Sequence, residues 1–556
     1  MDKASWLTNY PDSVLSNFKP NEYDSLVTFL EATFAKYNRL PMFENMGKSM
    51  TYHEIDLHSK AFAAFLQNYT SLQPGDHVAI QLPNLLQYPI AMFGLIRAGM
   101  VVVNINPLYT AHELSQQLKD AMAKGIIILA NFAYNLSTII QHTSIQHVII
   151  TEIGDLLKRP KGRFINFAIK HIKKLIPRYQ FSTALQINSF NKVLKAGKKA
   201  KFTPYCPNAD SVAFLQYTGG TTGVSKGAIL THGNMLANMA QIFSFMQLTL
   251  EEKKELVITP LPLYHIFSLT VNLFAMLQIG AKNILITNPR NIPKLVKLLR
   301  KKRFTCMTGV NTLFKALLHH PAFKQVDFSN LKITLSGGEA LQDSIANQWE
   351  SMTKVALIQG YGLTEAAPCV ACNMPNGTHQ QGTVGIPLPG THIKIVDDSY
   401  QEVAIGQPGQ LLVKGPQVMK KYWNNPSETE IVFWNGWIQT GDIALLQPNG
   451  FLKIIDRKKE MINISGFNVY PSEIESLVLS HPQVAEAAAI GVQEKEDREI
   501  VKLFVVKKDP SLTEAMLIAY CKKHLTNYKV PRLIVFREAL PKSNVGKVLK
   551  YKLKQE

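Results

Sequence analysis

An α/β fold in more than one domain is predicted by three observations. The chain has 556 residues, too many for a single hydrophobic core. Strand-length apolar runs alternate with helical patterns through most of it, the signature of α/β sheets. From about residue 382 the texture changes to short strands punctuated by Gly and Pro, and a compact α+β unit follows beyond 460.

The elements follow in order. HVAIQL (77–82), MVVVNI (100–105) and GIIILA (125–130) read as strands, with helical stretches at 53–69 and 112–122. A basic segment interrupts, and the pattern resumes with SVAFLQYT (211–218) and GAILTH (227–232). ELVITPLPL (255–263), NILIT (283–287), ITLSGG (333–338) and ALIQGYG (356–362) come next. The β-rich subdomain, about 382–456, contains GTVGIPLPGTHIKIVD, GQLLVKGP and GFLKIIDRKKEMI. A charged junction at 456–460 precedes a helix PSEIESLVLSH, strands VAEAAAIGV and VKLFVVKK, a helix TEAMLIAYCKKHL and a basic tail.

Composition narrows the function. Hydrophobic residues make up 46% of the chain, which excludes wholesale disorder. No apolar run reaches the ~18–20 residues that span a bilayer, and the nearest, 88–103, carries Arg97 in its middle. MDKASWLTNYPDS is not a signal peptide, and the final KLKQE is neither a prenylation nor a peroxisomal signal. Five cysteines make no disulfide framework, so a reducing, cytoplasmic setting is expected. Cys369 and Cys372 form one C-x-x-C without the second pair a zinc site needs. The net charge of +19 favours acidic partners such as nucleotides, CoA or anionic lipid. Segment 156–201 holds thirteen Lys or Arg and no Asp or Glu. Its core, RFINFAIKHIKKLIPRY, suits either an amphipathic helix on a membrane surface or a solvated basic face. No recognised nucleic-acid module accompanies the charge, so nucleic acid is not an expected partner.

Four motifs carry chemistry. YTGGTTGVSKGAILTH (217–232) has the composition of a phosphate cradle but lacks the G-x-x-x-x-G-K-[ST] spacing. It joins two strands, so phosphates would meet backbone N–H groups, Thr218, Thr221, Thr222, Ser225 and Lys226. Gly219, Gly220 and Gly223 let the backbone approach closely. GYGLTE (360–365) supplies Thr364 for a phosphate, Glu365 for Mg²⁺ and the flat face of Tyr361 for a base. In WIQTGDIALLQPNGFLKIIDRKKEMI, Asp442 suits a ribose diol, and Arg457 can reach ribose or phosphate. PKSNVGKVLK places Gly546-Lys547 in the basic tail. Alone, each motif also admits a bland reading: a Gly-rich hairpin, a capped turn, a solvated turn, a solvated lysine.

YTGGTTGVSKG, PLYHIF, SGGEAL, QGYGLTE, TGD, DRKKEMINISGFNVYPSEIE and PKSNVGK stand in the order of the adenylate-forming superfamily. That superfamily includes acyl-CoA synthetases, firefly luciferase and the adenylation domains of peptide synthetases. The resemblance covers nearly the whole chain, and block 435–475 looks most like bacterial long-chain fatty acid–CoA ligases. It implies an acyl-CoA synthetase/luciferase-like architecture: an N-terminal AMP-binding domain (1–456), a hinge (457–459) and a mobile C-terminal domain (460–556).

The implied reaction has two halves. A carboxylate attacks the α-phosphorus of ATP, giving acyl-AMP and pyrophosphate; the CoA thiol then displaces AMP. By resemblance, Lys547 touches the reacting carboxylate and α-phosphate, Glu365 holds Mg²⁺, and Thr364 holds a phosphate. The loop 218–226 grips the β- and γ-phosphates. Gln359, Gly360, Tyr361 and Gly362, with Gly337, Gly338 and Glu339, surround adenine and ribose, and Asp442 and Arg457 hold ribose. His265 orients the acyl carboxylate, Lys459 is the pivot, and Gly466 lines the CoA tunnel. HIFSLTVNLFAML carries no acid to pair a substrate ammonium, so an apolar acid is expected. The implied co-substrates are ATP with Mg²⁺, CoA and a long-chain fatty acid. Peripheral association with the inner face of an anionic membrane is also expected, and a homodimer is admitted. The rival expectations are a medium-chain or aryl acid–CoA ligase, and an inactive membrane-attached nucleotide- or lipid-binding protein.

Overall fold

The computed structural model describes residues 5–20, 22–181, 185–218, 225–464, 467–495, 498–542 and 548–555. Its first large sheet has seven strands. They run in the order Gln186–Ser189, His147–Thr151, Gly125–Leu129, His77–Gln81, Val101–Asn104, Val212–Tyr217 and Gly227–Thr231. All pair in parallel except the last two, which are antiparallel. The strands at its centre are apolar throughout because helices cover both faces; all five residues of Gly125–Leu129 are buried.

A second sheet of nine strands lies beside it. Its parallel centre is Leu357–Gly362, Ile333–Ser336, Cys306–Gly309, Leu256–Thr259 and Lys282–Leu285. Ile386–Pro387 pairs with Cys369–Cys372 on the antiparallel edge of this sheet. The five-stranded β-rich sheet therefore starts at His392–Val396, later than the change of texture at 382. One continuous apolar core runs between the two large sheets.

The helix Gln87–Arg97 is buried along its whole length. Arg97 is wholly enclosed and forms ion pairs with Asp56 at 2.6 Å and Glu31 at 2.7 Å. Those partners, with Ser59 Oγ at 2.5 Å, offset the cost of burying the guanidinium. The segment is thus core, and among the described residues no helix is long and apolar enough to cross a membrane.

Beyond the strand Leu452–Arg457 comes a single 3-10 turn, Lys458–Glu460. A two-stranded ladder (Ile462–Ile464, Phe467–Val469) and a three-stranded sheet (Val484–Lys495, Arg498–Lys507, Leu533–Arg537) follow. With the helices Pro471–Leu479 and Glu514–His524 they enclose a separate core centred on Val501, Leu503 and Leu517.

Candidate active site

The strand Val212–Tyr217 and the strand Gly227–Thr231 are joined directly by the glycine-rich loop. Of that loop, Gly219, Gly220, Thr221, Thr222 and Gly223 lie outside the described residues, as do Gly466 and Lys547. What frames the loop is described. Thr218 N–H donates to the Lys226 carbonyl at 2.9 Å, and Ser225 Oγ donates to the Thr218 carbonyl at 2.5 Å, closing its neck.

The next strand ends in Thr231, which caps the helix His232–Met246 reciprocally with Asn234. Asn234 then spends its amide donors on the carbonyls of Pro416 (2.8 Å) and Val418 (3.0 Å). That tether lays residues 421–423 along the strand Gly227–Thr231, where Ile229 N–H donates to Lys421 and Trp423 N–H to Gly227. Tyr422 is thereby delivered to the site. Its hydroxyl donates to Glu365 Oε1 at 2.6 Å, and its ring lies 5.6 Å from Lys226 Nζ. Burial first, then the Glu365 charge, holds the Tyr422 phenol well above its usual range, so it stays a donor.

Asn425-Pro426 starts the short helix Pro426–Val432, with the Asn425 side chain accepting from Glu428 N–H at 3.2 Å. Glu428 points back to Lys226 and forms an ion pair with its Nζ. Tyr422 and Glu428 escape the motif reading because KKYWNNPSET carries no phosphate-like pattern. The N-P cap signal before Glu428 is the one local cue to their placement.

The residues expected to meet base and ribose come from two sheets. Gln359, Gly360, Tyr361 and Gly362 occupy the end of the strand Leu357–Gly362. A Cβ on Gly362 would lie 2.1 Å from the Pro368 carbonyl oxygen, so only glycine fits the antiparallel return at 368–369. Gly337 packs against Phe267, and Gly338 has φ +83°, a conformation glycine alone adopts freely. Glu339 Oε1 accepts from Thr312 N–H at 3.0 Å, which ties the SGGE turn to the neighbouring helix. Thr364 and Glu365 open a single 3-10 turn.

Asp442 and Arg457 are direct partners across an antiparallel ladder, and Arg457 Nε lies 2.8 Å from Asp442 Oδ1. The Tyr361 hydroxyl donates to the other carboxylate oxygen of Asp442. Burial opposes the Arg457 charge, but Asp442 and Tyr361 outweigh it and hold the guanidinium firmly protonated. Tyr361, from one sheet, and Asp442 and Arg457, from another, thus form one polar cluster.

His265 sits in a turn whose Phe267 N–H donates to His265 Nδ1 at 3.3 Å. Nε2 therefore carries the proton. Burial lowers the imidazole of the half-buried His265 to about 4, so it is a neutral donor at physiological pH. An apolar cavity lies between the helix His232–Met246 and the strands Ile333–Ser336, Leu357–Gly362 and Cys369–Cys372. Val271, in the turn-to-helix segment after His265, contributes to the wall with Phe245, Met246 and Leu335. Cys369 and Cys372 line it too, and burial pushes the Cys372 thiol up to about 12.

At the junction, Lys458 Nζ reaches Asp398 Oδ1 and Gln410 Oε1, both at 2.8 Å. Ser472 fastens the next helix to Asp456 Oδ2 (2.8 Å) and to the Ile455 carbonyl (2.6 Å). Lys459, between these anchors, is exposed. The tail helix Lys550–Leu553 returns to the junction, where Lys550 pairs with Glu475 at 2.8 Å and Glu460 at 3.1 Å.

The donor set around Glu365 bears on Mg²⁺. Among the described residues no group of three or more His, Cys, Asp or Glu could cage a metal. Glu365, with one carboxylate oxygen engaged by Tyr422, fits a cation that takes one or two carboxylates and completes its shell with phosphates and water.

Comparisons with known proteins show the family. The family model for the AMP-binding enzyme matches residues 30–423, and that for the AMP-binding enzyme C-terminal domain matches 473–547. A long-chain-fatty-acid–CoA ligase of Escherichia coli O6:H1 is 51% identical over 554 residues, covering 100% of this chain and 98% of the relative. One from Yersinia pestis is 49% identical over 557 residues, with 100% and 98% covered, and one from Bacillus subtilis is 36% identical over 559, with 99% and 98% covered. Among solved structures, ATP-bound MatB from Rhodopseudomonas palustris superposes with TM-score 0.79 at 27% identity, covering 95% of this chain and 98% of that one. The fold is also that of the anthranilate CoA ligase AuaEII in complex with anthranoyl-AMP, with TM-score 0.84 at 23% identity over 97% and 98% of the two chains. The chain belongs to the AMP-binding enzyme family.

Proposed function

We propose that the protein is a long-chain fatty acid–CoA ligase, activating its acid through an acyl-AMP intermediate. The observation that carries the substrate class is the cavity against the helix His232–Met246, whose exposed wall is apolar. Its lining holds no charged side chain, and the one amide there, Asn373, is already engaged by the Thr383 carbonyl and Gln380 N–H, so an ammonium would stay unpaired at a cost of several kcal/mol. The enclosed space is about 20 Å³, so an acyl chain enters by displacing side chains such as Met246 and Phe245. Full-length likeness to relatives named long-chain ligases supports the same reading.

A carboxylate is already ionised at neutral pH, so adenylation needs no base. The task is to bring two anions together, which calls for positioning and charge neutralisation. His265 would donate Nε2–H to the acyl carboxylate. Asp442, polarised by Arg457 and Tyr361, would accept from the ribose hydroxyls. Thr218, Ser225 and Lys226, with the loop between them, would hold the departing pyrophosphate, and Thr364 a phosphate oxygen. Lys547, by resemblance, would meet the α-phosphate. Mg²⁺, when bound through Glu365, would supply further neutralisation of phosphate charge. Rotation about Lys459 would then exchange the tail for the segment around Gly466, a gating step of the hinge type.

The proposal is tested by ATP–pyrophosphate exchange and CoA thioester formation across acids of increasing chain length. A maximum among long-chain acids is expected; a maximum at benzoates or at about six carbons would transfer the assignment to an aryl or medium-chain ligase.

Membrane association through 158–201 is part of the proposal. The helical run Lys161–Phe167 and Ala168–Ile172 exposes Phe164 (66%), Phe167 (56%) and Ile172 (64%), while Lys170, Lys173 and Lys174 flank them. An ordinary surface helix would turn those apolar groups inward. Outward-facing apolar residues among cations suit an anionic bilayer surface. Sedimentation with anionic vesicles should weaken when Lys170, Lys173 and Lys174 are changed to Gln; unchanged binding would refute this part.

A further inference from the structure

We infer that Glu428 is a stand-in for phosphate: a built-in carboxylate that holds Lys226 between turnovers and competes with pyrophosphate for it. This rests on the reading of Lys226 as a phosphate-holding residue. Three observations converge. The Lys226 ammonium is largely shielded (its side chain is 20% exposed) and takes Glu428 as its ion-pair partner. Glu428 belongs to a different segment, 202 positions away, and its backbone is fixed from behind by the Asn425 cap. Tyr422 sits between the two ends of the site, with its ring near Lys226 and its hydroxyl on Glu365. The Lys226 cation and the carboxylate assigned to Mg²⁺ are therefore joined by one side chain, with Glu428 at the far end of the row.

The physical consequence follows from exchange of partners. ATP gains Lys226 only by breaking the Glu428 contact, so the cost of that contact is subtracted from phosphate affinity. When the α–β bond has broken, the same carboxylate recaptures Lys226 and favours departure of pyrophosphate. A phosphate site with no such competitor would bind its product more tightly and release it more slowly. Glu428, 36% exposed at its side chain, can swing into solvent when displaced without being left buried and unpaired.

Glu428 is thus a positioning residue for Lys226. The test compares Glu428→Gln, Lys226→Ala and the double variant of the full chain by calorimetric titration with inorganic pyrophosphate and with AMP, alongside KM for ATP. Glu428→Gln should tighten pyrophosphate and lower KM for ATP by about two- to fivefold, the worth of a partly exposed ion pair. AMP affinity should be unchanged, which separates the effect from a general structural one. Lys226→Ala should weaken pyrophosphate, and adding Glu428→Gln to it should change nothing further. If Lys226→Ala weakens pyrophosphate while Glu428→Gln leaves it equal or weaker, Glu428 merely aims the lysine and the stand-in role is overturned. If Lys226→Ala leaves pyrophosphate binding unchanged, the phosphate role of Lys226 falls and the inference falls with it.

Discussion

Replacing His265 by Ala should slow adenylation by about ten- to a hundredfold in kcat/KM for the acid. The magnitude comes from one hydrogen bond. Phe267 N–H occupies Nδ1 at 3.3 Å, so Nε2–H is the donor left for the carboxylate. A hydrogen bond to a charged group contributes about 1.5–3 kcal/mol, and each ~1.4 kcal/mol is a factor of ten. Gln places an amide N–H near the Nε2 position, whereas Asn reaches only Nδ1. His265→Gln should therefore keep more activity than His265→Asn. The pH profile adds a second readout. Because burial lowers the imidazole from 6.5 to about 4, its titration should leave no inflection in kcat/KM between pH 6 and 8. The assay is ATP–pyrophosphate exchange at subsaturating long-chain acid, which isolates the first half-reaction. If His265→Ala retained activity within twofold, or if Asn served better than Gln, the tautomer argument would be wrong.

Further outcomes are expected. Asp442→Asn should weaken AMP binding and, by removing one partner of a pair in which Asp442 is nearly fully buried, lower the midpoint of thermal unfolding; calorimetry reads both, and an unchanged AMP affinity would remove Asp442 from the ribose site. Tyr422→Phe removes the donor to Glu365 at 2.6 Å and should change the Mg²⁺ concentration needed for half-maximal exchange while leaving AMP affinity alone; an unaltered Mg²⁺ curve would contradict the role given to Glu365. His232 Nδ1 accepts from Leu26 N–H at 3.1 Å, and burial lowers this histidine from 6.5 to about 4. The depressed value means that the unfolded state takes up the proton first as pH falls. Its contribution is therefore complete above pH 6.5 and lost towards pH 4, about 2 kcal/mol between pH 7 and 5. Denaturant titration should show His232→Asn losing less stability over that interval than the unaltered protein, and equal losses would refute the burial argument.

Much of the architecture was legible because it rests on short-range patterns. The buried parallel strands are apolar runs of strand length, and the helical patterns at 53–69 and 112–122 fall on the helices Tyr52–Tyr69 and Ala111–Asp120. The candidate site was legible where its residues sit beside glycines, as at Gly362, since glycine there answers a steric demand, the 2.1 Å approach of the Pro368 carbonyl oxygen. Tyr422 and Glu428 were not legible. Their role depends on a tether from Asn234 to residues 416–418, a contact nearly two hundred positions long that no local periodicity encodes. The place of Ile386–Pro387 was hidden for a related reason: two residues cannot advertise which sheet they join, and the pairing with Cys369–Cys372 decides it.

The junction described above behaves as a clamped shaft. Arg457 is gripped by Asp442, and Lys458 by Asp398 and Gln410, so the large domain's hold extends to residue 458. From the other direction, Glu460 is held by Lys550. Exposed Lys459 lies between the two holds and has a contact of its own. Were the C-terminal domain to turn about it, each setting would keep or break these ion pairs, so rotation would step between discrete arrangements instead of drifting as a flexible tether does. Because Arg457 belongs to the first hold, a nucleotide that drew Asp442 away from it would alter the junction as well.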